Sequence, residues 1–278
     1  MLKKIFLALI LTLITLIPLS AAAQSKDLIL DGDHGKLAAT LQTPDGQKKF
    51  PLVILCHGFN ADKEYPLLKN LADELEARGI ASIRFDFNGH GKSDGKFQDM
   101  TIVNEISDAK KVFDYVRQMP NVTTISISGH SQGGVVASML AGELGAKKIK
   151  SVVLFAASSI LRDKALTGEL FHVKFDIFNP PEFLEINTPY GKRKVGREYI
   201  LTLQTLPIYE TAGKFTGPAL MIQGTGDTHV PYTNGLIYKK YFRRGELELL
   251  ERVNHAFKDN ESRAAKIAAN FFVTHMKK

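Results

Sequence analysis

The sequence predicts an α/β fold, a mostly parallel sheet covered by helices on both faces. Three observations carry this. Short continuous apolar runs recur along the chain, as in Leu52-Val53-Ile54-Leu55-Cys56 and Val152-Val153-Leu154-Phe155-Ala156. Strands that are apolar on both faces belong inside a parallel sheet. Segments with apolar residues three and four apart lie between them, as crossover helices require. The third observation is Gly129-His130-Ser131-Gln132-Gly133, set between a β-rich run and an apolar helical run. A serine on such a sharp strand-to-helix turn has its Oγ pushed clear of the sheet.

The elements follow in order. Residues 27–42 read as a hairpin around an Asp-Gly-rich turn. Residues 52–56 form the first buried strand. A helix over 66–78 carries Leu67, Leu68, Leu71 and Leu75 on one face and is closed by Gly79. Residues 80–85 are the next strand. A helix over 103–119 buries Ile106, Ala109, Val112, Phe113 and Val116 and ends before Pro120. A strand over 123–128 leads into Ser131, and a helix over 135–142 leaves it. Buried strands over 152–156 and 219–222, a shorter one over 247–250 and a helix over 262–275 complete the pattern. Residues from about 158 to 214 break the alternation. A structureless loop that long is improbable in a compact domain, so this stretch is expected to be an inserted cap subdomain.

The chain opens with Met1-Leu2-Lys3-Lys4, runs apolar over 5–19, and then reads Ser20-Ala21-Ala22-Ala23. That is the pattern of a signal peptide cleaved near Ala23. It implies a secreted or periplasmic protein with one domain over 24–278 and no stable membrane span after cleavage. The formal charge is +7, with Lys and Arg spread along the chain. They read as solvated surface, not as a nucleic-acid footprint. The single cysteine, Cys56, lies in an apolar strand and reads as a small core residue. No metal-ligand spacing and no phosphate-cradling glycine loop is present, so neither metal nor cofactor is expected.

A serine hydroxyl needs a base in hydrogen-bond reach, and that base needs a carboxylate to orient it. On a doubly wound sheet the chain order is serine, then Asp or Glu, then histidine. Asp227 follows the strand over 219–222 in Gly224-Thr225-Gly226-Asp227. This places it at a strand's carboxyl end, where such sheets bind ligands. His255 follows the last strand in Val253-Asn254-His255. Backbone N–H donors for an oxyanion are expected at Gln132 and at Phe59 of His57-Gly58-Phe59. His57 reads as structural, His229 and His275 as bystanders, and His130 as turned away from Ser131.

These motifs, with Arg84-Phe85-Asp86-Phe87-Asn88-Gly89-His90-Gly91-Lys92-Ser93-Asp94-Gly95, resemble the α/β-hydrolase superfamily. The segment from Phe85 through Met100-Thr101, the run Gly133-Gly134-Val135-Val136, and Leu206-Pro207-Ile208-Tyr209-Glu210 are more narrowly similar to bacterial cinnamoyl (feruloyl) esterases. The resemblance implies a serine carboxylesterase that needs no cofactor. Its substrate would be a small ester, such as the hydroxycinnamoyl esters of plant cell walls, with the aromatic acyl group under the cap. It also implies that Asp163 and Tyr199, at matching positions, recognise a phenolic hydroxyl. The chain departs from the family pattern between Leu170 and Gly196. A short-chain acyl esterase, a thioesterase, a peptidase or a catalytically silent binding protein on the same fold stay open. So does the oligomeric state, a homodimer included.

Overall fold

The computed structural model describes residues 24–188 and 191–276. The leader expected over 1–23 lies outside the described residues. Eight strands form the main sheet: β1 (Gln24–Asp31), β2 (Lys36–Thr43), β3 (Phe50–Cys56), β4 (Ala81–Phe85), β5 (Val122–His130), β6 (Val152–Phe155), and two later ones at its far edge. The first two form an antiparallel hairpin, and β2 also runs antiparallel to β4. Every other pairing in this sheet is parallel.

Helices cover both faces. α1 (Pro66–Glu76) lies between β3 and β4, α2 (Ile102–Val116) precedes β5, and α3 (Gln132–Leu144) follows it. The period-2 geometry of a strand splits β3 between two cores. Leu52, Ile54 and Cys56 pack with Ile106, Val112, Val136 and Leu140 of α2 and α3. Val53 and Leu55 pack with Leu67, Leu71 and Leu75 of α1. A one-residue slip would exchange the two sets, so burial on both faces holds the register.

After β6 the chain leaves the sheet. It forms α4 (Ile160–Leu166), a short hairpin of β7 (Glu169–Leu170) and β8 (Val173–Lys174), and a longer hairpin of β9 (Phe183–Thr188) and β10 (Gly191–Gly196). Helices α5 (Arg197–Thr205) and α6 (Ile208–Ala212) return it to β11 (Pro218–Gly224). Then come α7 (Thr233–Tyr241), β12 (Arg244–Leu250) and α8 (Glu261–Met276). The sheet order is β1-β2-β4-β3-β5-β6-β11-β12. α8 adds Ala264, Ala268 and Phe272 to the core on the α1 side.

Two differences from the sequence expectation have a physical reason. α7 has no apolar stripe to reveal it, because it docks through Tyr238 and Gly235 while Leu236 and Ile237 face solvent. β9 and β10 carry Glu185, Lys192, Arg193 and Lys194, and the alternation of buried Leu184, Ile186 and Val195 is hard to see among those charges.

Candidate active site

Ser131 stands at the junction of β5 and α3 with φ 55° and ψ −120°. This region is strained for a residue with a Cβ, and such strain persists only where the surroundings over-determine it. Two glycines make the turn sterically possible. A Cβ on Gly129 would stand 2.0 Å from the Gly133 carbonyl oxygen, and one on Gly133 would stand 2.2 Å from that of His57. Strand, loop and helix therefore meet backbone to backbone around the serine.

His255 Nε2 lies 2.9 Å from Ser131 Oγ, and His255 Nδ1 lies 2.7 Å from Asp227 Oδ2. Asp227 Oδ1 accepts the N–H groups of His229 and Val230, each at 2.9 Å. Its Oδ2 also accepts from Gln223 Nε2 at 3.0 Å. Burial pushes the Asp227 carboxyl up, but the hydrogen bond and charge of His255 and the two backbone N–H groups outweigh it, and the net shift is downward. A carboxylate can only accept here, so His255 Nδ1 carries the proton and Nε2 is free to accept one from Ser131. That is the arrangement nucleophilic catalysis by a serine requires.

The other histidines near the serine are not equipped for this. Burial lowers His57 to about 4 and His130 to about 3, so both stay neutral at working pH. His57 Nε2 accepts the Phe87 N–H at 3.1 Å, and its Nδ1 lies 2.8 Å from the Gly58 oxygen. His229 stacks on His255 at 5.3 Å between ring centroids and gives its backbone N–H to Asp227. Phe59 sits in the turn after β3, and Gln132 opens α3 directly behind the serine. Among the described residues neither N–H donates to another protein group. No group of three or more His, Cys, Asp or Glu among the described residues could hold a metal ion.

A model of the serine aminopeptidase S33 family of hydrolases matches residues 47–175. Est1E from Butyrivibrio proteoclasticus, solved with ferulic acid bound, is 30% identical and superposes with a TM-score of 0.85. That likeness covers 90% of this chain and 100% of Est1E. The chain belongs to the α/β-hydrolase superfamily. An uncharacterised 31.7 kDa protein from the traX–finO intergenic region of Escherichia coli is 33% identical over 137 residues. The match spans 48% of this hydrolase and 46%, about half, of that relative's length.

Several contacts around the site of this α/β hydrolase escape sequence reasoning. His130 Nε2 lies 2.8 Å from the His255 carbonyl oxygen, so its ring donates there and tethers the loop that carries His255. Its face stacks on Tyr65 at 4.9 Å. Gln132 is fully buried, and its Nε2 lies 2.9 Å from both Glu105 carboxyl oxygens. The Tyr199 hydroxyl donates to Gln132 Oε1 at 2.6 Å, and Tyr199 is itself fully buried. Asp163 lies on α4 with its side chain 61% exposed, near Arg162 Nε at 3.7 Å. No spacing rule links 105, 132 and 199, so only the packing of α2, α3 and α5 brings them together.

Burial raises Glu105 to about 8, with the Gln132 hydrogen bond opposing and the Asp108 charge adding. The unfolded chain releases this proton near the ordinary glutamate value of about 4.3. Between those values the folded state binds the extra proton, so this group's contribution to stability falls as pH rises and levels off above about 8. Glu105→Gln keeps an acceptor for Gln132 and removes the titration. Urea unfolding at pH 5, 7 and 9 should show the variant gaining on the parent as pH rises. Parallel stability curves would show that Glu105 does not titrate in this way.

Proposed function

We propose that this hydrolase is a serine carboxylesterase that releases hydroxycinnamic acids through an acyl-enzyme. The relay from Ser131 Oγ through His255 to Asp227 carries the reading. Ser131 attacks the ester carbonyl as His255 takes its proton. The Phe59 and Gln132 N–H groups bind the oxyanion. His255 then protonates the leaving alcohol and activates water for the second half-reaction.

Two observations support an aromatic acyl group. Est1E, which has ferulic acid bound, matches along nearly the whole chain. Beside the proposed oxyanion donor, the Phe59 ring stacks on Phe171 at 4.3 Å and meets Phe97 edge-on at 5.2 Å. Phe171 lies between β7 and β8 of the inserted segment, so an aromatic wall joins the core to the proposed cap.

The test is a parallel rate comparison on methyl ferulate, methyl p-coumarate, p-nitrophenyl acetate, a matched thioester and a matched peptide. Hydroxycinnamate esters are expected to be preferred. A preference for acetate would leave only a short-chain esterase, and a preference for the thioester or peptide would replace the reaction class. Two variants probe the cap. Asp163→Ala removes an exposed carboxylate, and it should slow hydroxycinnamates about five- to 150-fold with acetate unchanged. The Tyr199 hydroxyl is already donated to Gln132, so Tyr199→Phe should slow every ester alike. A selective loss in Tyr199→Phe would instead put this hydroxyl on the substrate.

A further inference from the structure

Ser158 lies beyond the end of β6 and is almost fully buried. Its Oγ is 2.8 Å from Ser131 Oγ, and its N–H donates to the Ser131 carbonyl at 3.1 Å. The path that brings it there is constrained. The Phe155 carbonyl accepts the Ser131 N–H at 2.9 Å, which prolongs the β5–β6 ladder past the strands. Ala156 then turns with φ 44°, a left-handed conformation that costs a residue with a Cβ. The adjoining Ser159 is held from behind. Its Oγ is 2.5 Å from the Tyr209 hydroxyl and accepts from Asn234 Nδ2 at 3.0 Å.

The direction of the Ser131–Ser158 hydrogen bond follows from counting protons. Asp227 accepts from His255 Nδ1, so Nε2 must accept from Ser131. Ser131 has one hydroxyl proton, and it is committed to His255. At 2.8 Å the remaining donor is the Ser158 hydroxyl.

We propose that Ser158 is a fourth catalytic residue, donating its hydroxyl to Ser131 Oγ and stabilising the negative charge that develops there; this rests on the esterase reading above. In acylation the O–H bond of Ser131 breaks, its proton passes to His255, Oγ bonds to the carbonyl carbon, and the ester C–O bond breaks as the alcohol leaves with that proton. In deacylation water gives a proton to His255 and its oxygen bonds to the acyl carbon, the C–Oγ bond breaks with its electron pair staying on Oγ, and His255 returns the proton there. Ser158 keeps its own proton throughout. A hydrogen bond to an oxygen gaining charge is stronger than one to a neutral hydroxyl. The interaction therefore favours both transition states over the ground state.

A fluorophosphonate probe tests this, because Ser131 Oγ attacks phosphorus and expels fluoride without any acyl-specific recognition. Ser158→Ala should lower the second-order inactivation constant and kcat for p-nitrophenyl butyrate about ten- to a hundredfold. KM and Tm should stay near the parent values. Ser158→Thr keeps a hydroxyl and should react faster than the alanine variant. An alanine variant that reacts at the parent rate would overturn the assignment, and so would a loss matched by a lowered Tm. Should the threonine variant fail to fold, the alanine result decides. A parent protein inert to the probe would instead remove the serine-esterase reading itself.

Discussion

Ser131→Ala is expected to lower kcat on p-nitrophenyl butyrate by about 10⁶-fold, and adding His255→Ala should cost little more. The reason is that the two side chains share one proton transfer. With Oγ gone, His255 Nε2 has no Ser131 hydroxyl to activate, and the proposed N–H donors at Phe59 and Gln132 could only polarise a carbonyl for water. The substitution removes one oxygen from a nearly buried side chain whose backbone is held by the Phe155 carbonyl and the Ser158 N–H. Folding should therefore survive, and circular dichroism would check it. Losses that add in the double variant would mean that His255 is not the base for Ser131.

Asp227→Asn should lower kcat by about 10⁴-fold with little change in fold. All four partners of this carboxylate are donors: His255 Nδ1, Gln223 Nε2, and the N–H groups of His229 and Val230. An asparagine can keep its single carbonyl oxygen on the two backbone N–H groups. Its NH₂ then faces His255 Nδ1, which can only respond by giving up its proton and accepting. The imidazole proton moves to Nε2 and points at Ser131 Oγ, so the base becomes a donor. The loss should appear in kcat and kcat/KM together. A variant within tenfold of the parent would show that the carboxylate does not set the tautomer.

Both expectations rest on groups that stand far apart in the chain, and the two kinds of information separate there. The turn around Ser131 is legible because its determinants are local. Strand-forming residues precede it, helix-forming residues follow it, and glycines stand where backbones must touch. The placement of Asp227 and His255 after successive strands is legible for a related reason. In a doubly wound sheet the residue after a parallel strand always emerges at the same edge. The Glu105–Gln132–Tyr199 chain, the His130 tether and the α7 helix are not legible in this way. Each depends on a side chain meeting a partner from another element, and no periodicity encodes that meeting.

Hydrophobic patterning by itself determined a mostly parallel sheet with helices on both faces and a serine at its carboxyl edge. Burial of apolar surface is non-directional, and it leaves a strong trace in residue order. Tertiary structure alone decided which polar atoms meet inside that frame. It set the Tyr199 hydroxyl on Gln132 and placed a second hydroxyl, from Ser158, 2.8 Å from Ser131 Oγ. Hydrogen bonds are directional and short, so a few tenths of an ångström make or lose them. That precision comes from the packing of whole elements, which residue order does not record.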